Sequence, residues 1–222
     1  MPRNPRPNTH LYILLDRSGS MESMKADVIG GFNRLLADQL AAGDDARITL
    51  IQFDTNDPEE VLLNGTKLST ARPLSGATFV PRGGTPLLDA TGRLIARATA
   101  RADQRRVLGK RPEHLVLVTV TDGEENQSTQ FSRADIKRLI AAKQELGWTF
   151  AFLGAGVDAY GEAGGIGVDT RSVQAFAPTA AGAAAAFDSV SKAVRTRRAK
   201  VASGVAFEAA DLFEGAKDAE RA

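Results

Sequence analysis

Two kinds of hydrophobic pattern alternate along this chain. Short runs that are almost wholly apolar predict strands buried on both faces, because such runs leave no polar side for water. These runs cover residues 11–15, 48–53, 115–120 and 148–153, and a shorter run at residues 173–176 predicts a last edge strand. Between the runs, apolar residues recur every three or four positions, which is typical of amphipathic helices.

Four helices are predicted from this spacing. Thr85 is expected to cap the second helix, with Pro86 at its first position, and Ser132 to cap the third. The positions expected to face the core are Met24, Val28, Phe32, Leu35, Leu36 and Leu40, then Leu87, Leu88, Thr91, Leu94, Ile95 and Ala98, then Ile136, Leu139 and Ile140, and finally Phe187, Val190 and Val194. Cations complement a helix dipole at its C-terminal end, and the last helix carries three there: Arg195, Arg197 and Arg198.

The order of these elements indicates a doubly wound, Rossmann-like α/β fold, in which a mainly parallel sheet has helices on both faces. One segment departs from this order. The turn pair Asn64-Gly65 lies between short apolar runs and predicts a hairpin-like segment with one antiparallel edge strand. The glycines of residues 154–167 predict a flexible connection. The expected boundaries are a flexible N-terminal arm at residues 1–9, one domain at residues 10–201 and a weakly patterned C-terminal extension at residues 202–222.

Composition excludes several classes of function. The 222 residues suffice for one domain with a single core. The 28 basic and 27 acidic residues lack the basic excess typical of nucleic-acid binding, so neither nucleic acid nor a membrane surface is expected as a partner. The absence of cysteine excludes disulfides and thiolate metal sites and fits a cytoplasmic protein. The proline-rich start has no apolar core that would make it a signal peptide or a membrane span.

Oxygen-bearing side chains follow two of the predicted strands. Asp16, Ser18 and Ser20 come at the end of the first run, and Asp122 follows the third. Ligands of open parallel sheets bind beyond the carboxyl ends of the strands. If the two strands are neighbours, both carboxylates face one space, which the loop carrying Thr85 can also reach. Such oxygens suit Mg²⁺ or Mn²⁺, which takes roughly six oxygen ligands at about 2.1 Å.

These residues resemble the motifs of the von Willebrand factor type A domain. DRSGSM at residues 16–21 matches the D-x-S-x-S motif of that family, GGTPL at residues 83–87 resembles its threonine loop, and VTVTDG at residues 118–123 resembles its aspartate loop, all in the family's order. The phrases GGFN, QFD and TDGEEN are most similar to those of stand-alone bacterial members. The resemblance implies a complete metal ion-dependent adhesion site made of Asp16, Ser18, Ser20, Thr85 and Asp122.

The resemblance also implies a function. The site would hold Mg²⁺, or Mn²⁺ or Ca²⁺ in its place, and an Asp or Glu of a partner protein would supply a further oxygen. The chain would then be a divalent-cation-dependent protein-binding module of the adhesion or scaffold type, and not an enzyme.

Each polar residue also has a structural interpretation. The hydroxyls of Ser20 and Thr85 precede helices and could instead accept backbone N–H groups as caps. Asp54 ends a strand expected on the far side of the first, so a turn with the two residues after it is favoured over the site. Asp89 is expected to favour the N-terminus of the second helix electrostatically.

The sequence gives less information on the roles of three loop residues and the two histidines. Glu124, Glu125 and Asn126 are expected on an exposed loop, either as solvated surface or as determinants of partner choice. His10 and His114 each precede a strand and are interpreted as structural.

The alternative function is a metal-dependent phosphoryl or ester hydrolase that uses the same edge of the sheet. An Asp at the end of a first strand is also found in haloacid dehalogenase-type phosphatases. Their motif is D-x-D, in which the second Asp is the general acid. Here Ser18 takes the place of the second Asp and cannot donate a proton at neutral pH. The chain also lacks the G-x-S-x-G elbow of a serine hydrolase.

Overall fold

A computed structural model of the protein describes residues 9–156, 158–217 and 220. The expected arm at residues 1–9 therefore lies almost wholly outside the described residues. The strands are β1 (Thr9–Asp16), β2 (Ala46–Phe53), β3 (Glu60–Lys67), β4 (His114–Thr121), β5 (Thr149–Ala155) and β6 (Val173–Phe176). The helices are α1 (Lys25–Ala41), α2 (Leu87–Val107), α3 (Arg133–Gln144), α4 (Ala159–Gly165) and α5 (Ala180–Ser203).

The strands form one six-stranded sheet in the order β3-β2-β1-β4-β5-β6. Strand β3 pairs with β2 in the antiparallel direction, and every other pairing is parallel. The predicted α/β fold with a mainly parallel sheet and one antiparallel edge strand is thus confirmed. The chain leaves β1 towards β2 on one side and returns to β4 on the other, so the switch point of the sheet lies between β1 and β4.

The two faces of the sheet bury separate apolar clusters. On β1, Leu11, Ile13 and Leu15 belong to the cluster with buried residues of α1 and α5. Tyr12 and Leu14 point the other way, into the cluster with residues of α2, α3 and α4. All eight residues of β1 are buried, as its unbroken apolar run predicts. The central strand is therefore fixed from both sides, and its carboxyl end is a rigid place for a site.

The predicted hairpin at Asn64-Gly65 is wrong. Strand β3 runs through these two residues, and the register against β2 shifts between Ile48 and Leu50. Gly65 has a φ of 59°, and its N–H donates to the Thr49 hydroxyl at 2.9 Å. The turn-forming pair thus makes a β-bulge, which uses the same backbone conformation without reversing the chain.

Other expectations for the second half of the chain also need correction. The glycine-rich connection contains the short helix α4, whose first turn is capped by the Asp158 side chain. Arg197 and Arg198, expected to complement the helix dipole at the C-terminal end of α5, are buried, and Lys200 is the basic residue of its last turn. Arg198 donates to the backbone oxygens of Gln39 and Gly43, and Arg197 donates to Thr149 at 3.0 Å. These two cations hold α5 to its neighbours.

The segment after α5 contributes to the core. Leu212 and Phe213 are 2% and 3% exposed and belong to the cluster under α1 and α5. Their backbone is fixed by Ser172, whose hydroxyl accepts the Leu212 N–H at 2.8 Å. By contrast Leu40, expected to face the core, is 40% exposed. No helix in the described part of the chain has an apolar stretch long enough to cross a lipid bilayer.

Candidate metal site

The sheet brings the two strand-end carboxylates to one place. Asp16 is the last residue of β1, and Asp122 follows the last residue of β4, its parallel neighbour. The apolar runs end at the same level because the register pairs Leu15 with Val120. Asp16 and Asp122 thus lie side by side at the carboxyl edge of the sheet, next to the switch point, as the sequence predicts.

The Asp16 carboxylate lies at the floor of this edge. It is fully buried, and its Oδ1 accepts the Ser18 N–H at 2.7 Å while its Oδ2 accepts the Thr121 hydroxyl at 2.5 Å. Burial raises the pKa of Asp16 to about 6, against the opposing effect of these hydrogen bonds, and the nearby Asp122 adds to the rise. Asp16 is therefore positioned by two neighbours while its charge is poorly compensated.

The serine hydroxyls connect Asp16 to Asp122. Ser18 Oγ lies 3.0 Å from Ser20 Oγ, and the Ser20 hydroxyl donates to Asp122 Oδ1 at 2.8 Å. Ser18 is buried and Ser20 is exposed, so the row of oxygens runs from the protein interior to its surface. Partial burial raises the pKa of Asp122, and its hydrogen bond from Ser20 opposes that rise.

The loop before α2 closes the third side. Gly19 donates its N–H to Gly83 O at 3.0 Å, which fastens this loop to the one carrying the serines. Thr85 is 2% exposed, and its hydroxyl lies only 2.9 Å from the point where a Cβ on Gly123 would stand. A glycine beside Asp122 thus allows Thr85 to approach the aspartate loop. All five predicted residues therefore lie at one edge of the sheet.

Neither the Ser20 hydroxyl nor the Thr85 hydroxyl caps a helix. Ser20 lies inside a 3-10 turn, Gly19–Met24, and α1 begins after Met24 with no capping side chain. Thr85 was expected to cap helix α2. The helix begins at Leu87, so the capping position belongs to Pro86. The structural interpretation of Ser20 and Thr85 is therefore wrong, whereas the predicted cap at Ser132 is confirmed by its hydrogen bond from the Asp135 N–H.

An ion-pair network beside the site was not predicted. Arg17, within the D-x-S-x-S stretch, is 3% exposed and donates from Nε to Asp54 Oδ2 at 2.8 Å, and it also pairs with Glu60. Arg82 donates to the same Asp54 oxygen at 3.0 Å. Asp54 also makes the predicted turn by accepting the N–H groups of residues 56 and 57. Burial would raise the pKa of Asp54, but these donors hold it below the ordinary value.

The aspartate loop is held by side chains that were expected to serve other purposes. Asp89 does not simply face the helix N-terminus: it is 4% exposed and accepts three backbone N–H groups of residues 129–131 at 2.9 Å each. Asn126 Oδ1 accepts the Thr85 N–H at 3.1 Å, and Glu125 Oε2 accepts the Leu88 N–H at 2.8 Å. Glu124 remains exposed. The sequence held one signal for this role of Asp89: it is an acidic residue among the positions of α2 that face the core.

Both histidines lie at the opposite edge of the sheet, near the beginnings of β1 and β4. His10 is fully buried between Glu113 and Thr49, and burial lowers its pKa despite the Glu113 carboxylate. His114 packs its ring edge-on against Phe207, and burial lowers its pKa to about 4. The structural interpretation of both fits this placement, because neither can reach Asp16 or Asp122.

The donor set decides which metal would fit. Two carboxylates and three hydroxyls are hard oxygen ligands, which suit Mg²⁺, Mn²⁺ or Ca²⁺ and exclude sites that depend on thiolate or imidazole. In the part of the chain that the structure describes, no group of three or more His, Cys, Asp or Glu side chains could hold a metal. A metal here would therefore depend on hydroxyls and water in addition to Asp16 and Asp122.

The fold and this edge define a class of protein: a doubly wound α/β domain whose polar loops converge at the switch point of the sheet. A sequence model of the von Willebrand factor type A domain matches residues 10–192, and the chain belongs to this family. Domains of this family are generally metal-dependent adhesion or protein-interaction modules, and are typically not enzymes.

Solved structures show the same fold at low sequence identity. SpaC, a pilus adhesin from Lactobacillus rhamnosus GG, superposes in its open conformation with a TM-score of 0.67 at 16% identity, over 88% of this chain and 31% of that one. Proximal thread matrix protein 1 from the mussel byssus gives 0.55 at 13% identity, over 86% of this chain and 46% of that one.

The SpRpn10 VWA domain gives a TM-score of 0.52 at 14% identity, over 77% of this chain and 89% of that domain. The chain thus spans less than half of the mussel and Lactobacillus proteins but about the length of an isolated domain. A comparison with curated proteins found no match.

Proposed function

We propose that this protein is a divalent-cation-dependent protein-binding module. Asp16, Ser18, Ser20, Thr85 and Asp122 would hold the cation, directly or through water, as a complete metal ion-dependent adhesion site. Mg²⁺ is the first candidate, with Mn²⁺ and Ca²⁺ as alternatives. An Asp or Glu side chain of a partner protein would supply a further oxygen, and the cation would provide the positive charge that recognises it.

The observation that carries this proposal is the row of oxygens from Asp16 through Ser18 and Ser20 to Asp122. Ser18 and Ser20 are two residues apart, so one short turn presents both hydroxyls, whereas Asp122 arrives from a strand 102 residues further along. A hydroxyl retains free lone pairs while it donates a hydrogen bond, so each serine can also accept a cation. Helix capping does not account for these hydroxyls, and a shared cation would use the lone pairs that their mutual hydrogen bonds leave free.

Electrostatics supports the same proposal. The raised pKa values of Asp16 and Asp122 indicate that their environment disfavours two negative charges. Arg17, the buried cation next to Asp16 in sequence, is directed to Asp54 and Glu60 instead. A divalent cation would balance the two carboxylates, and a carboxylate from a partner would then meet a site that is neutral or slightly positive.

The family also supports this function, since metal-dependent adhesion or protein interaction is its general property. The placement of the histidines makes the hydrolase alternative weaker, because no imidazole lies at this edge to act as a general base or acid.

Calorimetric and thermal-shift titrations with Mg²⁺, Mn²⁺ and Ca²⁺, reversed by EDTA, test the metal. We expect saturable stabilisation that grows with cation concentration, is lost in Asp16→Ala and is retained in Asp188→Asn, a control at a carboxylate with 52% of its side chain exposed. Equal responses in both variants would refute the site. Hydrolysis of p-nitrophenyl phosphate that disappears in Asp16→Asn would instead favour the enzyme alternative.

A further inference from the structure

A polar groove lies on the face of the sheet opposite to α1 and α5. It has a volume of about 800 Å³ and runs between α2 and the edge strand β3. Its floor includes Tyr12 of β1, which lies four residues before Asp16, or about 13 Å at about 3.3 Å per residue. The groove is thus separate from the candidate metal site. It is lined by Tyr12, Glu59, Asn64, Arg93, Arg97 and Arg101, among others.

Three arginines of α2 share this groove because they are spaced by four residues. Arg97 donates to Glu59 at 2.7 Å, and Arg101 makes two hydrogen bonds to Glu113, at 2.9 and 3.0 Å. Arg93 makes no ion pair in the described part of the chain, and its buried Nε has no hydrogen-bond partner there. Asp89, four residues before Arg93 on the same helix, interacts with it electrostatically. The groove therefore has no large excess of charge, and what distinguishes Arg93 is its unpaired Nε donor.

The floor of the groove presents a second unsatisfied donor. Tyr12 is 1% exposed, its ring stacks on His10 with the centroids 4.0 Å apart, and its buried hydroxyl has no hydrogen-bond partner among the described residues. Buried polar atoms are nearly always satisfied in folded proteins, so two orphans facing one groove point to a polar ligand. Burial raises the pKa of Tyr12, which keeps the phenol protonated and able to donate.

The shape of the groove favours an anion larger than a simple ion. Arg101 lies against Gly65 of β3, where a Cβ would come within 2.7 Å of its guanidinium, so the bulge lets the arginine lie across the groove. A guanidinium donates in a planar fork that matches phosphate oxygens. A volume of about 800 Å³ falls within the range of small-molecule sites.

We propose that this groove binds a phosphate-bearing small molecule. Both donors are covered in the free groove, so neighbouring side chains would shift for the phosphate to accept hydrogen bonds from Arg93 and Tyr12. The rest of the molecule would lie along Arg97, Arg101 and Asn64. This site does not depend on the metal site. Free phosphate and a phosphate ester share the same chemistry, and their separate titration distinguishes them.

The test is calorimetry on the full chain at constant ionic strength, with inorganic phosphate, adenosine 5′-monophosphate and uncharged adenosine as probes. We expect saturable binding of adenosine 5′-monophosphate, weaker binding of phosphate and none of adenosine. Loss of a charged hydrogen bond in Arg93→Gln should weaken the Kd about tenfold or more. Arg106→Gln is the matched control, because Arg106 belongs to the same helix but lies outside the groove with 80% of its side chain exposed.

Tyr12→Phe makes the test independent of folding defects. It removes an unpaired hydroxyl and keeps the ring, so the melting temperature without probe should stay or rise, while binding of adenosine 5′-monophosphate weakens. Equal weakening in Arg93→Gln and Arg106→Gln would overturn the proposal, as would adenosine binding or no saturable binding of either phosphate. An unchanged response of Arg93→Gln to Mg²⁺ would separate any such failure from a failure of the metal site.

Discussion

Ser20 donates its hydroxyl hydrogen to Asp122 Oδ1 at 2.8 Å, across 102 residues of sequence. This bond joins the loop after β1 to the loop after β4 at an exposed residue. The two loops are positioned by the strands that they follow. The contact therefore reports where the strands end more than it adds to the stability of the fold.

Replacement of Ser20 by Ala should weaken cation binding and leave the fold intact. A proposed ligand is lost at an exposed position, so we expect a Mg²⁺ affinity about tenfold lower or worse and a change of at most about 0.5 kcal/mol in the free energy of unfolding. Calorimetry and urea denaturation measure the two quantities. Ser203→Ala is the control, because Ser203 is exposed at the end of α5 and its hydroxyl bonds only to backbone oxygens of that helix. Unchanged affinity in Ser20→Ala would remove Ser20 from the site.

Cation binding should also depend on pH, because burial raises the pKa of Asp16 to about 6. A cation needs the ionised carboxylate, so affinity should fall as the pH drops through 6 and reach a plateau above it. The free protein should behave in the opposite way. Its folded state binds a proton that the unfolded state has released between about pH 4 and pH 6, so its stability should decrease as the pH rises through that window.

Thermal melts from pH 4.5 to pH 8, with EDTA and with Mg²⁺, measure both effects. The two curves should diverge as the pH rises above 6. Asp16→Asn should flatten the free-protein curve in this window, since the substituted amide does not titrate. A pH profile of the native chain that matched Asp16→Asn would show that another group is responsible.

The part of the site that could be predicted from sequence is the part that depends on strand ends. An apolar run that stops at a carboxylate marks a strand end, and Asp16 and Asp122 were found in this way. The partners of Arg17 could not be found, because they depend on which strand lies beside β1 and on where β3 begins. Residues such as Asn64 and Arg197 were misinterpreted because a local preference, for a turn or for a helix end, has a second use in tertiary context.

Replacement of Asp89 by Ala should destabilise the protein by about 1–3 kcal/mol. Three backbone N–H groups lose their acceptor, and the exposed part of the loop regains only some of those bonds from water. Urea denaturation measures the loss, and Asp103→Asn on the same helix, with 56% of its side chain exposed, is the control. Because the same loop carries Asp122, Mg²⁺ affinity should fall too. Full retention of stability would show that the loop is held by its other contacts.

Gly123→Ala tests the approach of the threonine loop to the aspartate loop. A Cβ at this position would stand 2.9 Å from the Thr85 hydroxyl, closer than packed side chains allow, and Gly123 is not among the glycines with positive φ. The strain is therefore between side chains and not in the backbone, so the fold should survive while Thr85 moves away from Asp122. We expect weaker Mg²⁺ binding with a small loss in thermal stability.

Gly76→Ala is the matched control for this substitution. Gly76 has no atom within 4 Å of the added Cβ and also lacks a positive φ, so the same chemical change there should leave cation binding unaltered. If Gly123→Ala bound Mg²⁺ as tightly as Gly76→Ala, Thr85 would not be a ligand in the bound state, because its hydroxyl cannot keep its position beside an added methyl group. The cation would then be held by Asp16, Ser18, Ser20 and Asp122 with water, and the threonine loop would act only as a wall of the site.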